Sequence, residues 1–173
     1  DIDISSAEEI GQAAFSECTS LVEVQLPEVI NLGNEDYSIG GVFQGCTNLT
    51  NVYMPKVEVL GYNVFYNCTS LTEITLPQTI KRFCILHNSD LFSKETIVKI
   101  PHYTLEEIKN NITSDYGGQI GDYLPFGAKA ILYKGTYIDT TGEFVFTDNG
   151  SLVGYLGNSE DITIPEKLSS DDL

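Results

Sequence analysis

The sequence predicts a solenoid of short parallel strands joined by irregular or short helical return arcs, followed by a small antiparallel β meander. The first observation is a phrase that occurs three times. Phe15, Cys18, Leu21, Val24, Leu26 and Pro27 return as Phe43, Cys46, Leu49, Val52, Met54 and Pro55, and again as Phe65, Cys68, Leu71, Ile74, Leu76 and Pro77. Units repeated at a fixed period bury their apolar faces only by stacking on one another, which is the signature of a solenoid. The second observation is that this period fades after Pro101. The third is that short runs of β-forming residues, separated by turn dipeptides, take over from about residue 128.

The three phrases set the period. The step from Pro55 to Pro77 is the basic unit, and the step from Pro27 to Pro55 is longer by six. The Phe and Cys positions advance by the same two steps. The extra chain falls between Gly33 and Phe43, so it maps to a loop on one edge of the coil. A fourth, worn unit follows. Ile80 matches Ile30, and Val98, Ile100 and Pro101 repeat Ile74, Leu76 and Pro77 after a slightly longer step. Its Phe and Cys positions read as lost, with Cys84 out of register. Terminal repeats are often irregular because they cap the stack. The array then spans residues 1–101 in about four units.

Within a unit, Leu21-x-x-Val24-x-Leu26 reads as a strand with aliphatics inward. Pro27 ends it, having no N–H for the next ladder bond. Val29, Ile30 and Leu32 read as inward residues of the return arc. Gly11, Gly33 and Gly61 suit tight bends. Rungs rise about 4.8 Å, so Phe15, Phe43 and Phe65 are expected to form a column. Cys18, Cys46 and Cys68 stack likewise. Their side chains run parallel instead of facing each other, so buried free thiols acting as apolar fillers are expected rather than disulfides.

Residues 102–127 read as a helical cap and linker. Leu105, Ile108 and Ile112 share a helix face, with Thr104 as N-cap and Glu107 at the capping-box position. Residues 128–160 read as the meander, with turns at Lys134-Gly135, Thr141-Gly142 and Asn149-Gly150. In residues 161–173, Ile162-x-Ile164-Pro165 reads as the start of a further repeat. That restart, and an N-terminus with neither an initiator Met nor a leader segment, lead one to expect a piece of a longer protein.

The repeated residues resemble the BspA-like leucine-rich repeats, whose unit runs aliphatic-Gly, Ala-Phe, Cys, Leu-x-x-Ile-x-Leu-Pro. Ile10-Gly11 with Ala14-Phe15, and Leu60-Gly61 with Phe65, carry its front half. The likeness covers residues 8 to 101, and the segment at 101–110 resembles the short helix that closes such arrays. It implies a leucine-rich-repeat solenoid. It also implies a place among cell-surface proteins of gut and oral bacteria and some protist parasites, linked to adhesion and host contact.

Composition narrows the partners. The net charge is -16, with a hydrophobic fraction of 42%. A polyanion repels phosphate backbones and anionic lipid surfaces, so neither nucleic acid nor membrane insertion is expected. No run of apolar residues is long enough to span a bilayer. The cysteines lack CxxC or His spacing for zinc, and no metal or cofactor is called for. His87 and His102 lie in no catalytic motif and read as surface residues. Paired carboxylates for glycoside cleavage, and a calcium loop at Asp36 or between Asp139 and Asp148, lack any supporting pattern. The sequons at Asn48, Asn67, Asn111 and Asn149 read as incidental, the first two being turn residues that the repeat itself demands.

What remains is a binding surface. Alternation places Glu23, Gln25, Asn51, Tyr53, Glu73 and Thr75 outward on the strands, followed by Ile97 and Lys99. Tyr53 is the natural anchor, since aromatic residues dominate contact energy. Tyr37 and Ile39 in the insertion form a second candidate surface. The expected function is a non-catalytic, extracellular recognition or adhesion module for a protein or glycan ligand. The rival readings are a structural spacer within a longer surface protein and an accessory glycan-binding domain.

Overall fold

The computed structural model describes residues 4–34, 38–85 and 90–100, positions 102, 103, 107 and 128, and the backbone of 113–114, 130–133, 136–138, 144–147 and 152–155. The described residues wind as a parallel β-solenoid of about four turns, almost without helix. Eight short strands follow one another in the coil. They are β1 (Glu9–Ile10), β2 (Glu23–Gln25), β3 (Asn31–Leu32), β4 (Asn51–Tyr53), β5 (Val59–Leu60), β6 (Glu73–Thr75), β7 (Arg82–Phe83) and β8 (Ile97–Ile100).

The strands with even numbers are those the repeat predicts. Glu23 and Asn51 pair in register, as do Gln25 and Tyr53, each one repeat step apart. Glu73 pairs with Ile97 and Thr75 with Lys99. Sequence offset is therefore ladder register. Among the described residues this front ladder is interrupted: β2 and β4 form one sheet, and β6 and β8 belong to another.

The return arc corrects the expectation of an irregular or helical path. It holds a second parallel sheet in the order β1-β3-β5-β7, extended by β9 (Thr113–Ser114), which pairs with β7. A further seam joins the Phe turns, where the Phe15, Phe43 and Phe65 amides donate to the carbonyls of Val42, Val64 and Leu91 at 3.0, 2.9 and 3.1 Å. Ile30, expected to point inward, is instead exposed. The arc buries Val29 and Leu32 and turns the residues between them outward.

The core is an axial column. Phe15 and Phe43 stack with ring centroids 5.4 Å apart, Phe43 and Phe65 at 5.8 Å, and Phe65 and Phe92 at 5.9 Å, all within 10° of parallel. Phe92 overturns the expectation that the fourth unit has lost its Phe. The position persists, but extra chain delays it beyond the step that separates Phe43 from Phe65. Cys84 is out of register with the other cysteines. Its amide bonds the Leu60 carbonyl as the Gly33 and Gly61 amides bond those of Ile10 and Leu32, so it occupies the glycine position of its turn.

The thiols are more than fillers. Cys46 Sγ–H donates to the Phe15 carbonyl at 3.0 Å, and Cys68 Sγ–H to the Phe43 carbonyl at 3.1 Å. Each satisfies a backbone acceptor of the preceding turn, which a buried peptide group requires. No disulfide joins the four cysteines.

Past the coil, β10 (Ala130–Tyr133) pairs in parallel with β8. The pairings of β11 (Thr136–Ile138), β12 (Phe144–Thr147) and β13 (Leu152–Tyr155) run antiparallel in that order from β10. The expected cap helix, apart from Glu107, the turn dipeptides of the meander, and the repeat restart at Ile162 lie outside the described residues.

Candidate functional site

Strand alternation, with Val24 and Ile74 buried, turns their neighbours to solvent. Glu23, Gln25, Asn51, Tyr53, Glu73 and Thr75 are all exposed, and Tyr53 retains 52% of its accessible surface. Register sets Tyr53 beside Gln25 and Asn51 beside Glu23. One surface thus carries a half-exposed ring among amide and carboxylate groups. Ile97 and Lys99 are half-buried at its far side. Lys99 Nζ contacts Glu73 Oε2 at 2.6 Å, so the carboxylate there is neutralised. Glu23 has no such cation among the described residues.

In the insertion, Ile39 is 59% exposed. Tyr37 and Asp36 lie outside the described residues, as do His87 and the segment from Asp139 to Asp148 apart from its strand backbones. His102 is exposed. Among the described residues, no group of three His, Cys, Asp or Glu side chains is placed to hold a metal ion. Cys46 and Cys68 are the wrong kind of thiol for nucleophiles. Burial pushes Cys46 up to about 11 and Cys68 up to about 12, with the neighbouring cysteines adding smaller electrostatic effects. A reactive cysteine needs its pKa lowered.

A leucine-rich-repeat assignment now follows from the stacked turns, the repeated offsets and the Phe column together. The family description "BspA type Leucine rich repeat region" fits residues 1–115, in 6 copies. The chain belongs to this family. No curated protein and no solved structure matches it. The six copies exceed the four units counted from the Phe-to-Pro phrase. The sequence does hold an earlier partial unit: Ile4 and Ile10 precede Leu26 and Leu32 by the same step that separates Pro55 from Pro77.

That partial unit reveals a feature of the BspA-type coil that the repeat phrase alone does not. A cavity of about 420 Å³ opens at its N-terminal end, lined by Ile4, Phe15, Leu21, Val24 and Pro27, with Ser5, Glu23 and Gln25 as its polar lining. Phe15 is only half-buried because its ring stacks on one neighbour, Phe43. The charge around it was legible in the sequence but hidden by averaging. Lys56 is the first Lys or Arg of the chain, so residues 1–55 hold 9 of the 25 acids and 0 of the 9 cations. The first turns thus carry -9, and the remainder 9 - 16 = -7.

Proposed function

We propose that this chain is a non-catalytic recognition module that binds a protein or glycan at a cell surface through its strand face. The leucine-rich-repeat family is generally a protein-binding scaffold, and the BspA-like members are typically found on bacterial surfaces, which supports the placement. The observation that carries the reading is Tyr53: a large ring left half-exposed on the strand face, flanked by Gln25, Asn51 and Glu23. A rigid aromatic loses little entropy on contact and supplies much of the energy of a hot spot. Among the described residues no helix is long and apolar enough to cross a membrane. The strands after residue 130 are taken as an antiparallel meander that continues the coil's front sheet.

Pull-down from host mucosal material and a glycan array, with the native chain and Tyr53→Ala, test this. Retention of a ligand that falls by about thirtyfold with the variant supports the strand face, that being the loss when a hot-spot residue worth about 2 kcal/mol is removed. Equal retention by both proteins excludes Tyr53 as the anchor. Retention of nothing in either assay favours a spacer.

A further inference from the structure

We infer that the break in the front ladder between β4 and β6 is a sugar-binding slot, in which hydroxyls of a neutral glycan bridge unpaired backbone groups while one pyranose ring stacks on Tyr53. This rests on the strand-face reading and names its class of ligand.

The break is local. Behind it, β3, β5 and β7 pair without interruption. At the Phe turns, the Phe43 amide donates to the Val64 carbonyl and the Gly45 amide to the Tyr66 carbonyl, both at 2.9 Å. The second and third turns are thus stacked on two sides of the coil and part only on the front. Between β2 and β4, the Asn51 amide donates to Val22 at 3.4 Å and the Leu26 amide to Tyr53 at 2.8 Å. One repeat step later these bonds would run from Glu73 to Thr50 and from Met54 to Thr75. Neither forms among the described residues. The Thr72 amide donates instead to Ser70 in its own turn at 3.1 Å, whereas its counterpart, Thr50, reaches Val22 in the preceding turn at 2.8 Å. The opening extends to the core. Val52 points inward yet is only half-buried, while Val24, Ile74 and Val98 at the same position are buried.

Backbone chemistry selects the ligand. In a parallel ladder, alternate residues bond to the same neighbour. Asn51 and Tyr53 bond to β2, so Val52 is turned away from it. The Ile97 amide donates to Thr72 and the Leu76 amide to Lys99, both at 2.8 Å, so Glu73 and Thr75 are turned away from β8. Their N–H and C=O groups line the two lips of the slot. A carboxylate or phosphate satisfies only the donors, and an ammonium only the acceptors. A hydroxyl donates and accepts, and so bridges the lips. An inserted peptide strand would need about 4.8 Å of further separation, which the two closed sides deny.

Side chains agree. Asn51 and Tyr53 stand on one lip, Glu73 and Thr75 on the other, all exposed. The electron-rich face of Tyr53 attracts the positively polarised C–H groups of a pyranose, and Asn51 and Gln25 offer amides to its hydroxyls. The core of a protein interface is apolar and rich in aromatics. Among the described residues of β4 and β6, Tyr53 is the one exposed large hydrophobic. Glu23 and the net charge of -16 repel acidic sugars.

The test is native electrophoresis through gels holding a mixed-linkage β-glucan, a galactomannan or polygalacturonate, joined to residue-resolved amide exchange by NMR. Retardation by a neutral polysaccharide, lost with Tyr53→Ala, kept with Tyr53→Phe and weakened about fivefold by Thr75→Pro, is the expected result. That proline removes a donor from the slot without touching the bonds to β8, so its melt should stay close to the native one. Should it unfold, amide exchange decides. The backbone amides of Val52, Glu73 and Thr75 should exchange fast in the free protein and slow down when a β-glucan oligosaccharide is added. Protection already present in the free chain would mean a closed ladder and overturn the slot. Stronger retardation by polygalacturonate would overturn the neutral ligand, and retardation indifferent to Tyr53→Ala would overturn the site. No retardation, together with Tyr53-dependent capture of a protein in the pull-down, would overturn the glycan and leave the strand-face reading standing. Failure of both would remove both.

Discussion

Replacing Phe43 by alanine tests the stack at its middle. The ring is fully buried and lies between Phe15 and Phe65, with centroids at 5.4 and 5.8 Å. Truncating a buried Phe costs about 3–5 kcal/mol, from lost transfer energy and the cavity left behind. Phe15→Ala removes a half-buried ring with one stacked neighbour and should cost about half as much. Domains of this size are stable by about 5–15 kcal/mol, so the Phe43 variant is expected to be weakened but still folded. The assay is urea unfolding followed by far-UV circular dichroism, because the chain has no Trp. Coupling is the sharper measurement. A stacked aromatic pair is worth about 0.5–1.5 kcal/mol beyond its buried area, so Phe43→Ala and Phe65→Ala should deviate from additivity by that much. Phe15 and Phe65, separated by Phe43, should add to within about 0.5 kcal/mol. Equal costs at Phe15 and Phe43, or an uncoupled Phe43–Phe65 pair, would refute a column in which each turn is held by its neighbours.

Three further outcomes follow from the same geometry. A Cβ on Gly41 would collide with the Asn63 carbonyl, whereas one on Gly11 meets nothing within 4 Å. Gly41→Ala should therefore lower the urea midpoint by the equivalent of about 2 kcal/mol or more, and Gly11→Ala should leave it unchanged or raise it slightly. The turn position occupied by Gly45 and Asn67 at φ 74° and 58° holds Glu17 at 58°. Asparagine tolerates this left-handed conformation better than glutamate, so Glu17→Asn should stabilise by up to about 1 kcal/mol, read as a rise in melting temperature. The thiols of Cys46 and Cys68 stay protonated in the fold far above their ordinary value of 9.0, chiefly because burial disfavours the thiolate. Their raised folded-state pKa favours the native state fully below pH 9. That advantage is lost as pH climbs toward about 11 for Cys46 and about 12 for Cys68, because the unfolded chain then binds fewer protons than the native one. Unfolding midpoints measured between pH 8 and 11 should fall, and Cys46→Ser with Cys68→Ser should flatten that slope.

Much of this architecture was legible in the chain, because the step between repeated phrases becomes ladder register directly, as Gln25 and Tyr53 show. Outward positions on the strands follow from simple alternation. The second sheet does not, since Asn31–Leu32 and its equivalents are too short to show a period. Phe92 escapes the repeat phrase because extra chain after Cys84 shifts it from the expected offset, although its ring completes the column. Ile30 defeats the pattern because the arc turns between Val29 and Leu32, so adjacent apolar residues there face opposite ways. Alternation finds outward side chains, but it does not show which residues from separate turns close around one space. Only the structure brings Ile4, Phe15 and Val24 around one cavity.

The ion pairs between turns bear on what a partner of the strand face would meet. An exposed pair such as Glu28–Lys56 contributes only about 0–1 kcal/mol, so these contacts do little to hold the turns together. Their common sense, acid before lysine, instead distributes charge along the axis. It places a lysine on Glu28, Glu58 and Glu73, and leaves Glu23 without such a cation among the described residues. A ligand of the strand face meets a mixed surface centred on Tyr53, where affinity comes from fit and should vary little with salt. A captured partner whose affinity falls steeply as ionic strength shortens the Debye length from about 30 Å at 0.01 M to about 8 Å at 0.15 M would therefore be held elsewhere than at Tyr53.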